Sequence, residues 1–455
     1  MSILVPNEVD APEILGPELS DAQRAARDRI YAMPLEEINP SDPESFASEQ
    51  MWWKFERLRA EAPVHYTSVE HTDYDAFWSI TKWDDIIAID TDSVNFTNET
   101  PAAMLMPGSS PELIRMAGPG ATPEQIKAVE DRGGGSLLSM DPPSHGIHRG
   151  AVAEGVSPDM LAMFEPLVRG RIGGILDSLP IGEEIDWVDL VSKDLTAMTL
   201  ATLFNYPQER RRELTYWSDV LTTTPAPGRI VETIEEKDVI ALEFAATMAR
   251  IIEERKTEPP ALDFLSLMAH SPHVKDFTAS EIRGDVGVLL IGGNDTTRNT
   301  LTGSVYALDR FPEQNAKLRA NPNLIPSMVS ETIRWQTPLS HMMRRANHDM
   351  EFRGQQMRKG DKIALWYVSG NRDDSKLDRP NEYIIDRKNP RQHLSFGFGI
   401  HRCLGNRLAE LQLRLTWEEI LKRFPEVKVV GEPERTPSNF VKGYESMTVV
   451  IPSRY

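Results

Sequence analysis

Apolar side chains along this chain recur mainly at spacings of three and four residues. From about residue 157 to residue 425 they do so almost without interruption, with polar caps between segments, which predicts a series of amphipathic helices. Two short runs of aromatic and β-branched residues, "PVHYTS" and "AFWSITK", predict a small sheet near the N-terminus, and "EFRGQQMRKGDKIALWYV" predicts a second β-rich patch. No period of about 20 to 50 residues repeats, which excludes a solenoid. The pattern predicts a mainly α fold with small β-sheets.

Residues 1–45, rich in Pro, Asp and Glu, read as an N-terminal arm with one short helix near "SDAQRAARDRIYAM", and 46–455 as a single domain. Within it, 100–140 mixes methionines, prolines and glycines with little periodicity, the character of a lid over a binding site. The longest predicted helix starts at a capping-box pattern, Thr278 and Glu281, and stops before Pro312. About 30 residues at 1.5 Å each would span roughly 45 Å. Its centre, "GGNDTT", should weaken it, because Gly292 and Gly293 each cost about 1 kcal/mol against alanine and Asp295, Thr296 and Thr297 are poor helix formers. Either another helix packs closely on the glycines, or something flat lies against that face while the polar side chains open the ladder to water.

Composition narrows the function. A net charge of -19 argues against non-specific binding to nucleic acid or anionic lipid. The N-terminus lacks the basic start and apolar core of a signal peptide, and no run of about 18 apolar residues occurs, so a cytoplasmic protein without a membrane anchor is expected. One cysteine in 455 residues excludes an intramolecular disulfide and any four-cysteine metal site, but leaves a single thiolate ligand or nucleophile. That cysteine, Cys403, lies in "FGFGIHRCLG" just before a predicted helix, where the helix dipole and free N–H groups stabilise a thiolate. Gly397, Gly399 and Gly405 would let the backbone turn tightly and approach a bulky ligand.

The pattern FGxGxHxCxG resembles the cysteine loop of the cytochrome P-450 family of haem-thiolate monooxygenases, and the resemblance extends over roughly residues 45 to 452, with separated motifs in the family's order. It implies the P-450 fold, with haem b (iron protoporphyrin IX) between the long distal helix and the cysteine loop. Cys403 would be the iron ligand, and such a thiolate favours O–O cleavage over reversible O2 binding. "DPPSHGIHR" implicates His145 and Arg149 as partners of the haem propionates, "RRANHD" adds Arg344, and His401 stands two residues before the cysteine in a propionate position; Phe396, Gly292, Gly293 and Gly405 would also border the cofactor. "ETIR" supplies the structural pair Glu331 and Arg334, joined by Arg387 from "RPNEYIIDR". Asp295 and Thr296 would form the acid–alcohol pair that manages protons for O2.

No GxGxxG fingerprint is present, and the resemblance implies that electrons from NAD(P)H would come through a separate ferredoxin and ferredoxin reductase. Arg391, Arg402, Arg407 and Arg414 concentrate positive charge around the cysteine, and part of this cluster is expected to dock an acidic ferredoxin. The motifs look closest to the soluble bacterial branch that hydroxylates terminal methyls of medium-chain alkanes and fatty acids. Ile291, Gly292, Leu339 and Met342, with Met104 and Met106 from the lid, would line a narrow apolar slot. A steroid side-chain hydroxylase is the alternative enzyme. A haem-based sensor or electron carrier, the alternative from another class, would need neither lid nor oxygen groove.

Overall fold

Helices form wherever the three-and-four spacing gives a segment one apolar face to bury. The computed structural model describes residues 19–99, 103–105, 122, 135–223, 225, 227–274 and 277–455, without the side chain of residue 279. In chain order these contain α1 (Asp21–Ala32), α2 (Pro43–Ala47), α3 (Met51–Glu61), β1 (Val64–Thr67), β2 (Phe77–Ile80), α4 (Trp83–Asp90), β3 (Phe96–Thr97), α5 (Ser144–Val152), α6 (Pro158–Ser178) and β4 (Glu184–Asp186). A π-helical turn, Val188–Lys193, runs into α7 (Asp194–Leu203), followed by α8 (Arg211–Thr222), α9 (Ile234–Arg255), α10 (Phe264–His270), α11 (Ala279–Arg310), α12 (Pro312–Ala320) and α13 (Ile325–Gln336). Then come β5 (Met342–Ala346), β6 (Met350–Phe352), β7 (Gln355–Met357), β8 (Lys362–Leu365), α14 (Tyr367–Gly370), α15 (Asn406–Arg423), β9 (Lys428–Val429), β10 (Glu434–Arg435), β11 (Tyr444–Ser446) and β12 (Thr448–Val450).

The expected N-terminal helix is α1, closed by a capping box in which the Gln23 N–H donates to Ser20 Oγ at 3.2 Å and the Ser20 N–H donates to Gln23 Oε1 at 2.8 Å. Within the segment expected as an arm, α1 places Ala26, Ile30 and Tyr31 in the main apolar cluster. The long predicted helix is α11, 32 residues or about 48 Å, with the Thr278–Glu281 capping box in place. Its ladder stays α-helical through Gly292–Thr297, so the expected weakening does not interrupt it. Packing against α7, α8, α9, α13 and α15 outweighs the local propensities.

The two predicted strands, β1 and β2, open a five-stranded sheet of order β1-β2-β8-β5-β3. β2 and β8 run parallel with Phe77 opposite Lys362, while the other pairs are antiparallel. Its apolar side chains form a second core with α4 that includes Ile80, Ile86, Ile363 and Leu365. Of the expected lid, only 103–105, 122 and 135–140 are among the described residues; Met106 and the rest lie outside them. No described helix is long and apolar enough to cross a membrane.

Candidate functional site

The loop carrying Cys403 is built from backbone that favours glycine. Gly397 (φ 63°) and Gly399 (φ 64°) lie in the left-handed region, and a Cβ on Gly399 would come within 2.5 Å of the Asp90 carbonyl oxygen. A 3-10 turn, Gly399–His401, leads to Cys403, whose N–H donates to the Phe396 carbonyl at 2.8 Å. Gly405 is different: its φ is -87°, and a Cβ there would meet no other group within 4 Å, so no turn requires glycine. Burial pushes the Cys403 thiol up, while the Gly405 N–H, Arg149 and Arg402 pull it down. The expected help from the helix N-terminus is therefore present but outweighed, and the thiolate needs a cation against it. Cys403 nevertheless keeps solvent-accessible surface.

Asp90, at the end of α4, holds this loop in place and was not among the residues expected from the sequence. Its Oδ2 accepts the Phe398 N–H at 2.7 Å and the Tyr367 hydroxyl at 2.9 Å, and its Oδ1 pairs with Arg344. Arg344, expected to meet a propionate, thus already has its charge balanced inside the protein, and it also donates to the Met343 carbonyl at 2.8 Å.

His145 and Arg149, four residues apart on α5, both lie beside the loop. Arg149 Nη2 donates to the Arg402 carbonyl at 2.7 Å. The His145 and His401 rings are 4.3 Å apart. His145 Nε2 is buried without a partner, and neither His401 nitrogen completes a hydrogen bond, although the Met140 carbonyl is near enough to favour the charged ring slightly. Burial lowers the pKa of both, that of His401 to about 2, assisted by Arg344. Buried imidazole nitrogens without partners are costly unless a ligand satisfies them. Beside an arginine and a thiol, these donors suit the two carboxylates of a porphyrin, so the residues present fit haem.

Glu331 and Arg334 are not an ordinary helix-surface pair, since both have 0% exposure. Arg334 donates to Glu331 through Nε (2.7 Å) and Nη2 (2.8 Å), and Arg387 Nε reaches both carboxylate oxygens at 2.9 Å. The remaining Arg334 donors bond the Asn371, Pro380 and Glu382 carbonyls. Asn371 carries this clamp to the cysteine loop by accepting the Leu394 N–H (2.7 Å) and donating to Ser395 Oγ (2.9 Å). Asn371 and Ser395 gave no signal in the sequence beyond their neighbourhood.

On α11 the two glycines divide the two readings between them. A Cβ on Gly293 would lie 2.7 Å from Leu200 Cδ2, so α7 packs closely there; on Gly292 it would meet no other group within 4 Å. Thr296 Oγ1 donates to the Gly292 carbonyl at 2.7 Å beside this bare face. Asp295 points the other way and is buried, with Arg298 Nη2 at 2.9 Å, Asn294 Nδ2 at 3.0 Å and Ser218 Oγ at 3.4 Å. Burial raises its pKa to about 6, with Arg298 opposing and Asp219 assisting. Arg298 also pairs with Asp219 at 2.6 Å.

Among the apolar candidates, Ile291, Leu339 and Met342 are half-buried, and Leu339 and Met342 flank the fully buried Ser340 and His341. The basic cluster is smaller than its sequence suggests: Arg391 pairs with Glu410 (3.0 Å), and Arg414 pairs with Glu165 (2.7 Å) and Glu418 (2.9 Å). Arg402 and Arg407 remain exposed.

Residues 217–450 match the family described as Cytochrome P450. Linalool 8-monooxygenase from Pseudomonas putida is 30% identical over 92% of this chain and 99% of its own length. A methyl-branched lipid omega-hydroxylase from Mycobacterium bovis is 28% identical over 87% of this chain and 90% of its own. The solved structure of cytochrome P450-153 from Novosphingobium aromaticivorans superposes with a TM-score of 0.80 at 36% identity, covering 91% of this chain and 99% of that one. With the cysteine loop, the buried Glu331–Arg334–Arg387 clamp and the unpartnered histidines all on one scaffold, the chain belongs to the cytochrome P450 family of monooxygenases.

Proposed function

We propose that the protein hydroxylates the terminal methyl of linear medium-chain alkanes or fatty acids, with electrons delivered from NAD(P)H by a separate ferredoxin and its reductase. The overall conversion takes R–CH3, O2, two electrons and two protons to R–CH2OH and water. Haem, when bound, supplies the iron at which O2 is reduced and one oxygen atom becomes transferable to carbon. Cys403 would hold that iron, and His145, His401 and Arg149 the propionates.

The single observation behind the substrate class is the bare helix face at Gly292, next to the half-buried Ile291 and accompanied by half-buried Leu339 and Met342. A primary C–H bond is stronger than its secondary neighbours, so terminal attack is a matter of presenting only the chain end. Small and aliphatic walls suit that task, and the mycobacterial relative is itself named for omega-hydroxylation. Asp295, its pKa raised by burial to about 6, would take up protons on the side of Ser218 and the partly exposed Asp219 and, by turning away from Arg298, pass them toward Thr296. Arg407, exposed and in no ion pair among the described residues, supports docking of an acidic donor at the groove between α6, α13 and α15.

Titration of the purified holoenzyme with linear alkanes, fatty acids and steroids tests the reading through the low-to-high-spin change. Linear chains should give the change and yield the terminal alcohol on turnover. A response to steroids alone overturns the substrate class.

A further inference from the structure

Three stretches distant in sequence meet at one imidazole. His341 has no exposed surface. Its Nε2 lies 3.0 Å from the Leu105 N–H, and its Nδ1 lies 3.0 Å from the Asn439 carbonyl oxygen. An N–H can only donate and a carbonyl can only accept, so these partners impose the neutral tautomer with the proton on Nδ1. Burial lowers its pKa to about 4, so the ring stays in that form at physiological pH. Trp366 (4.7 Å between ring centroids) and Phe440 (5.6 Å) pack against it.

The same junction is tied by backbone bonds. The Met343 N–H donates to the Ala103 carbonyl at 2.8 Å, the Ser340 N–H donates to the Phe440 carbonyl at 2.8 Å, and Leu339 bridges Val441. A phenylalanine could fill this space without bringing two ring nitrogens into the interior. The imidazole does what an apolar ring cannot: it satisfies one buried N–H and one buried carbonyl at a fixed separation, which specifies geometry. Leu339 and Met342 sit on either side of it along the chain.

We infer that His341 is a positioning residue for substrate selectivity: by tying Leu105 and Asn439 to the start of β5, it sets where Leu339 and Met342 stand and so how narrow the slot is. As regards chain ends, this rests on the reading under Proposed function.

The experiment compares His341→Gln, whose amide can both accept from Leu105 and donate to Asn439, with His341→Phe, which keeps bulk and loses both bonds. Each holoenzyme is measured for thermal midpoint, reduced-CO spectrum, spin-change affinity for alkanes of increasing length and one steroid, and the ratio of terminal to subterminal alcohol. His341→Phe should weaken linear-chain affinity by about tenfold and lower the terminal ratio by at least about fivefold, with His341→Gln within about twofold of the parent. A folded His341→Phe enzyme within about twofold on both measures, or Gln and Phe variants shifted equally, overturns the inference. Should His341→Phe fail to hold haem, Leu105→Pro removes the N–H from the other end; the terminal ratio must then fall, and an unchanged ratio overturns the inference. If steroids and not linear chains bind the parent enzyme, the substrate class falls, while His341 is still judged by steroid affinity across the same variants.

Discussion

Replacing Asp90 by asparagine removes one charge where three elements meet. The carboxylate receives the Phe398 N–H from the cysteine loop and the Tyr367 hydroxyl from α14, and it neutralises Arg344 on β5. Asp90, Arg344 and Tyr367 are all at most 4% exposed, so water cannot substitute. Leaving Arg344 without its counter-charge costs about 3–5 kcal/mol. Two charge-assisted hydrogen bonds reduced to neutral ones add about 0.5–1 kcal/mol each, for a total of about 4–7 kcal/mol. For 455 residues the unfolding entropy is about 1 kcal/mol/K, so the midpoint should fall by about 4–7 °C.

The loss should be felt first at the loop, because Phe398 lies between the two left-handed glycines. In the reduced CO complex, the Soret band that reports thiolate ligation should fade at a lower temperature than helix content measured by circular dichroism. Tyr367→Phe removes one hydroxyl and should lower the midpoint by about 1 °C, and the double variant should show less than the sum, since both changes touch one carboxylate. An Asp90→Asn enzyme with an unchanged midpoint and a full thiolate band at all temperatures below global unfolding would refute the assignment of Asp90 as the anchor of this loop.

Asp295→Asn should lower turnover by roughly a hundredfold and abolish a decline in rate above about pH 6, because burial holds the proton-donating acid form up to that pH; an unaltered pH profile counts against the relay. The same raised pKa means that Asp295 favours folding below the ordinary carboxylate range and loses that contribution as pH rises through about 6, so the variant's unfolding free energy should lack this slope. Gly293→Ala should destabilise by about 1–3 kcal/mol against Leu200, whereas Gly292→Ala should be neutral or gain up to about 1 kcal/mol while weakening substrate binding; equal effects on stability would remove the distinction between the two faces. Arg407→Glu should slow reduction by an acidic ferredoxin about tenfold at low ionic strength and much less at high, measured by stopped-flow; kinetics independent of salt and charge would displace the docking site.

What the sequence revealed correctly depends on neighbours within a few positions. The Thr278–Glu281 cap, the apolar spacing of α11 and α15, and the left-handed Gly397 and Gly399 of the cysteine loop are set by short-range geometry and can be read directly, whereas Gly405 is not required by its turn. Glu331 and Arg334 are also neighbours, but whether such a pair is buried depends on Arg387 and on three carbonyls from 371–382, which spacing alone does not reveal. Asp90 was missed because it closes "WDDIIAID", where three acids look like a solvated helix face, while its partners are at 344, 367 and 398. His341 was missed for the same reason. The glycine pair shows why: adjacent helical residues point about 100° apart, so one can meet Leu200 while the other stays bare, and only the neighbouring helix distinguishes them. The basic cluster shrinks because Glu165, on a helix far away in sequence, reaches Arg414. Polar groups paired across long separations are thus the part of this site that sequence conceals, and the proposed wall positions Leu339 and Met342 stand beside one such set, the bonds of His341 to Leu105 and Asn439. Specificity in this scaffold should therefore respond more to changes at residues such as His341, which adjoins the predicted wall position Met342 and bonds Leu105 and Asn439, than to conservative changes among the apolar side chains themselves.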